Sequence, residues 1–192
     1  MDIFDVGISA VLPGHNTITD TYFQGIYRNV KTCTICNKDS FCFEPFFHIR
    51  ILPLRNVKTA ISNSFRDTSF ERYCDHCNSV NKHVSSCTVY DHPRVLMVLV
   101  DRYTQSSSYS RSRRDCRVIE MDNILDLHGQ RYKLSGIVKH LGTSVDSGHY
   151  IACVERNGSL YTCNDSVVHR IKNFPEQSCD VYLLFFLKYF GS

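Results

Sequence analysis

No apolar run in this sequence approaches the ~20 residues that a membrane span requires. The start, Met1-Asp2-Ile3-Phe4-Asp5, has neither the basic opening nor the long apolar core of a secretion signal. Internal repeats and long low-complexity tracts are missing, which excludes a repeat array or a linker-dominated chain. Proline and glycine are sparse, at 5 and 9 of 192 residues. A strong charge imbalance is absent too. Lys and Arg number 22 against 19 Asp and Glu, a net +3 that makes no case for a nucleic-acid partner. The one dense basic run, Arg111-Ser112-Arg113-Arg114, follows the polar stretch Gln105 to Ser110 and reads as a solvated surface loop. What remains is ordinary globular composition, 43% hydrophobic and 21% charged, at a length that suits one domain or a large piece of one. The expectation is a soluble chain of the cytoplasm and/or nucleus, with no membrane and no nucleic acid among its partners.

Cysteine is abundant, at ten residues. Four fall into two pairs, Cys33-Thr34-Ile35-Cys36 and Cys74-Asp75-His76-Cys77. In an intracellular chain, paired cysteines at this spacing point to metal more than to disulfides. Each pair can act as a knuckle, and four thiolates make a closed tetrahedral zinc site of structural type. The long loop between the pairs costs little, because closure entropy grows slowly with length. The alternative is two independent turns with free thiols. His76 and His83 are spare ligand candidates. Cys42, Cys87, Cys116, Cys153, Cys163 and Cys179 are scattered and default to buried reduced thiols. The segment between the knuckles carries Phe41, Phe43, Phe46, Phe47, Ile49, Ile51 and Leu54. That suits a sheet packing into something larger, not a free-standing basic ribbon.

Residues 45–54, 94–100, 132–138, 150–154 and 181–189 are apolar, rich in β-branched and aromatic types, and of strand length. Residues 19–28 fit a strand or a short helix. The last two-thirds should be a mostly antiparallel sheet. Asn157-Gly158 is the clearest local signal, since both residues accept the positive φ of a two-residue hairpin turn. Counting outward pairs Arg156 with Ser159 and brings His149 opposite Ser166. Asn164 then lies diagonally from His149 on the same face, while Asp165 points away. A bulge would exchange Asn164 and Asp165.

His149 follows Gly148, which would let a backbone approach the imidazole. A histidine suits general-base work and needs a partner to fix its tautomer. Asn164 or Asp165 offers that partner, as in the base-and-orienter pair of a cysteine or serine hydrolase.

Several stretches together resemble the ubiquitin-specific proteases. Residues 132–142 followed by Gly148-His149-Tyr150 are similar to the family's histidine box, as is Tyr161-Thr162-Cys163-Asn164-Asp165-Ser166-Val167-Val168. Val181-Tyr182-Leu183-Leu184-Phe185-Phe186 resembles its final strand. Tyr22-Phe23-Gln24-Gly25 leading into Cys33 and Cys36, then Tyr73-Cys74 with Cys77-Asn78, resemble the entry to its fingers subdomain and the second knuckle. Pro93 to Tyr103 resembles the strand leaving it. The match runs in the family's order over nearly the whole chain.

The resemblance implies an α+β, mostly β fold: a papain-like cysteine-protease palm (about 93–192) with a zinc-bound β fingers subdomain (about 20–92), the helical thumb missing. It implies hydrolysis after the C-terminal glycine of ubiquitin in the complete form, with ubiquitin or a ubiquitinated protein as partner. His149 would be the general base, Asn164 the third member of the triad and Asp165 an auxiliary polar residue. Gly148 and Tyr150 would line the channel for ubiquitin's Gly-Gly tail. Zinc on Cys33, Cys36, Cys74 and Cys77 would hold the fingers. The family's Cys-Tyr nucleophile segment has no counterpart here, nor does the oxyanion-stabilising Asn of that segment. The expectation is therefore a chain inactive alone, exposing apolar surface that a partner would cover. A non-catalytic ubiquitin-binding pseudo-protease and a zinc-dependent interaction module are the alternatives. A further one, a protease using Cys153 or Cys163, conflicts with their place in the same hairpin as His149.

Overall fold

The structure is a computed structural model that describes residues 17–104, 113–143 and 147–189. Its contacts divide the described residues into two units, one formed by those up to 47 with 65–94, the other by 48–64 with those from 95 on. The sequence suggested one boundary near 92–93. Residues 48–64 instead group with the second unit, because the expected single strand over 45–54 is broken at Phe47-His48.

In the first unit, residues 19–28 are both of the forms the sequence left open. A helix spans Ile18–Phe23, capped by Thr17, whose hydroxyl accepts from Asp20 N at 3.1 Å while the Asp20 carboxylate accepts from Thr17 N at 2.9 Å. Strand β1 (Gly25–Cys33) follows directly. A Cβ at Gly25 would fall 2.4 Å from the Phe46 ring, so the strand can start there only without a side chain. β1 pairs with β2 (Asp39–Phe46). With β4 (Thr68–Cys74) and β5 (Ser79–Asp91), these strands make a sheet of order β2-β1-β5-β4. β1 and β4 are both antiparallel to β5, so their C-terminal ends, Cys33 and Cys74, emerge at the same end.

The second unit is built on an eight-stranded sheet. Its middle is β11 (Gln130–Leu141), β16 (Val181–Lys188) and β6 (Val95–Val100), with β3 (Ile49–Ile51) parallel to β6 at one edge. The other neighbours are antiparallel, as expected. Cross-strand rows form its core: Leu134, Phe186 and Leu96 in one, Ile137, Leu184, Val98 and Ile49 in the next, all almost fully buried. Each such side chain stabilises by roughly 1.5–3 kcal/mol. Phe186 is thus core. On the far side of β11 come β12 (His149–Arg156), β13 (Ser159–Asn164) and the edge strand β14 (Val167–Ile171). β10 (Ile124–Leu127) also pairs with β11. Short ladders join β7 (Tyr103–Thr104) to β8 (Arg113–Arg114) and β9 (Ile119–Glu120) to β15 (Gln177–Ser178). A helix, Val57–Ser64, buries Val57, Ala60 and Ile61 on one face.

Two arginines tie the irregular segments to this sheet. Arg102, 1% exposed, donates to the carbonyls of Val181 (2.7 Å), Asp115 (2.9 Å), Arg117 (2.8 Å) and Ser178 (3.2 Å). Arg114 donates to the carbonyls of Gly142, His140 and Cys179 and to the Asp180 carboxylate at 2.6 Å. The sequence placed Arg114 in a solvated loop. Its strand pairing with Tyr103 turns it inward instead. Arg111 and Ser112 lie outside the described residues. Arg102→Met would leave four carbonyls without their donor. It should cost about 3 kcal/mol in urea unfolding, and Arg102→Lys should recover little, because an ammonium cannot fork between them.

Candidate functional site

Each knuckle closes with its second cysteine followed by an asparagine at positive φ, Asn37 at 54° and Asn78 at 51°. Asn37 N donates to the Cys33 carbonyl at 3.0 Å, closing the first turn. Thr34, N and hydroxyl alike, donates to the Lys82 carbonyl, which fastens the first knuckle to β5. The four sulfurs lie within 4.8 Å of one another. Cys36 and Cys74 are 3.7 Å apart, and Cys33 and Cys77 3.9 Å. A disulfide needs about 2.05 Å. Four thiolates ~2.3 Å from a tetrahedral zinc would sit about 3.8 Å from each other. The donor set and spacing therefore fit a metal. His83 is not among the donors: its ring stacks near Phe70 and its Nδ1 lies 3.0 Å from the Asn81 carbonyl. Backbone N–H groups of Cys36 and Ile35 pull the Cys33 thiol down to about 6, while hydrogen bonding to the Cys36 thiol pushes Cys77 up to about 12.

In the second unit the turn is as counted. Asn157 and Gly158 have φ of 51° and 73°, and the register runs from Arg156–Ser159 to Ala152–Cys163. The pairing stops there, because the chain turns again at Asp165-Ser166, with Asp165 at φ 51° and Asn164 facing Val167 in β14. His149 and Asn164 nonetheless meet: Nε2 lies 2.5 Å from Asn164 Oδ1. An amide oxygen only accepts, so Nε2 donates and Nδ1 is left with its lone pair. Asp165 is farther, 4.0 Å from Nε2 to its carboxylate, with a largely exposed side chain. The His149 side chain is 43% exposed. Tyr150 is exposed beside it. Cys153 is four residues along β12, roughly 13 Å away. Cys163 points to the face opposite Asn164. Of the other scattered cysteines, Cys42 and Cys116 are exposed and not buried as the default held.

The approach that Gly148 permits is by a side chain. A Cβ there would lie 2.1 Å from His140 Nε2. His140 stood in the histidine box but drew no role from the sequence. In the structure it is buried and packs against Tyr103, Tyr150 and Tyr182.

The model of the family described as ubiquitin carboxyl-terminal hydrolase matches residues 10–186. The chain belongs to this family, and it is of the ubiquitin-specific-protease type. It is 25% identical to human ubiquitin carboxyl-terminal hydrolase 3 over 92% of its own length and 40% of that protein. It is 25% identical to mouse ubiquitin carboxyl-terminal hydrolase 17-like protein B over 86% of its length and 38% of that protein. It therefore spans about two fifths of each of these two relatives. Among solved structures, a chain of the SAGA DUB module of Ubp8, Sgf11, Sus1 and Sgf73 bound to monoubiquitin superposes with a TM-score of 0.83 at 25% identity, covering 99% of this chain and 47% of that one. A chain of the same module bound to ubiquitin aldehyde gives 0.83 at 22%, covering 98% of this chain and 47% of that one. The mostly β fold is that of these proteases.

If Asn164 alone fixes the imidazole, Asn164→Ala should convert His149 from one tautomer to a mixture. Nitrogen chemical shifts of its ring at neutral pH would show this, with no more than about 1 kcal/mol lost in stability.

Proposed function

We propose that this chain supplies the base and the ubiquitin-holding surface of a deubiquitinating thiol protease. The observation that carries this reading is the His149–Asn164 contact at 2.5 Å on a family hairpin. With Nε2–H engaged, Nδ1 of His149 is free to take the proton of a thiol and later give it to the leaving amine. Asn164 holds the imidazole, Asp165 is an auxiliary polar group, and Gly148 and Tyr150 border the path of ubiquitin's Gly-Gly tail. The second unit is the palm and the first the fingers, which grip ubiquitin. The four cysteines hold structural zinc, which supplies rigidity to the knuckles and takes no part in the reaction.

No segment of this sequence matches the family's nucleophile, so hydrolysis belongs to the complete form. Without the thiol, only binding and polarisation remain. Exposed Leu141, Tyr150, Val167 and Val168 are the apolar surface that a covering partner would meet.

The purified chain, mixed with ubiquitin carrying a thiol-reactive group at its C-terminus, should bind it saturably and form no covalent adduct by intact mass. An adduct on one cysteine would show a working nucleophile within these 192 residues. Absence of binding at high ubiquitin concentration would leave only the zinc-dependent interaction module. Native mass should show one zinc per chain. Chelator should lower the melting temperature, and Cys74→Ser should abolish the difference. An unchanged melting curve with chelator would remove the metal.

A further inference from the structure

We propose that His140 is a positioning residue for His149, held by Tyr103 and acting through the two residues that flank the base. This rests on the reading of His149 as the general base.

His140 is 3% exposed, and a buried imidazole is costly unless its polar atoms are used. Its Nδ1 lies 2.5 Å from the Tyr103 hydroxyl. Burial pushes the Tyr103 phenol up, so the hydroxyl keeps its proton and can donate to Nδ1. The ring is thereby fixed in orientation with its own proton on Nε2. One face of the ring stacks on Tyr150, with centroids 4.6 Å apart and planes 24° from parallel. Its edge meets Gly148. A Cβ at 148 would be 2.1, 2.8 and 2.9 Å from Nε2, Cδ2 and Cε1. Gly148 is not at positive φ, so the residue is small for want of space and not for backbone freedom. His140 thus touches the residue before His149 and the residue after it, on two different surfaces of one rigid ring.

The ring is itself anchored from behind. The backbone N–H of His140 donates to the Asp180 carbonyl at 2.9 Å, and its carbonyl accepts from Arg114 at 3.2 Å. Tyr182 lies 6.1 Å from both the His140 and Tyr150 rings. A displacement of His140 has one outlet among these contacts, the exposed segment 147–150 that carries the base. If that segment shifts, His149 Nε2 moves off Asn164 Oδ1 and the tautomer is no longer single.

The test uses the full chain with nitrogen-labelled histidine and reads the His149 ring tautomer at neutral pH. Gly148→Ala, which drives a methyl into the His140 ring, should abolish the single-tautomer pattern of His149. In a His140→Ala background the methyl has room, and the same substitution should cause no further change. Tyr103→Phe keeps the ring packing but leaves Nδ1 of His140 unpaired, so it should lower the melting temperature and also shift His149 toward a mixture. Equal effects of Gly148→Ala with and without the His140 ring would overturn the proposal. So would an unaltered His149 pattern in Tyr103→Phe, which decides the matter if His140→Ala does not fold. A packing role alone moves the melting temperature and leaves the His149 tautomer single. Ubiquitin titration of the unsubstituted chain tests the base reading separately, so failure of one does not imply failure of the other.

Discussion

The histidine site depends on a two-residue turn. Asn157 and Gly158 take positive φ, and from that point every pair in β12 and β13 is determined by counting. Strand side chains alternate with a period of two, so a slip of one residue would send Asn164 to the far side of the sheet and bring Asp165 or Cys163 to His149. The second turn, at Asp165-Ser166, ends the ladder just where the orienting residue is needed. It leaves Asn164 at the rim of the sheet, one residue past the last pair with β12 and able to reach sideways to an imidazole. The chemistry of the site follows from this geometry: an acceptor-only oxygen on one ring nitrogen leaves the other basic.

The irregular segments beside the sheet bring several backbone carbonyls together. Guanidinium forks pair with them. Arg102 gathers carbonyls from 115, 117, 178 and 181, and Arg114 gathers those of 140, 142 and 179. Five donors on one planar group suit converging carbonyls better than any apolar residue would. The first unit meets the same problem at its knuckles, where few apolar side chains are available. There the device is four converging sulfurs, with asparagine at positive φ closing each turn.

Much of this was legible because it is local and periodic. The Cys pairs, the Asn-Gly turn, the apolar strands and the His–Asn diagonal each follow from spacing along a strand or a turn. What escaped lacked a period or depended on distant partners. The helix Ile18–Phe23 is too short to display one, and Val57–Ser64 offers only Val57, Ala60 and Ile61 as its apolar face. Phe47-His48 interrupts an apolar run although neither residue is a glycine or a proline, and Pro45 before it stays within the strand. Arg114 sits at the end of a basic run that looks solvated, and its carbonyl partners are contributed by segments about 26 to 65 residues away. His140 carries no sign in sequence that Gly148 is small on its account.

The proposed function puts the His149–Asn164 pair where the end of ubiquitin's tail is delivered. It is tested most directly by binding ubiquitin with a spin label at its C-terminus and following the ring signals of the chain's histidines and tyrosines. If the claim holds, His149 and Tyr150 broaden strongly in the complex, while His169 broadens less. Saturable binding without broadening at His149 and Tyr150 would contradict it.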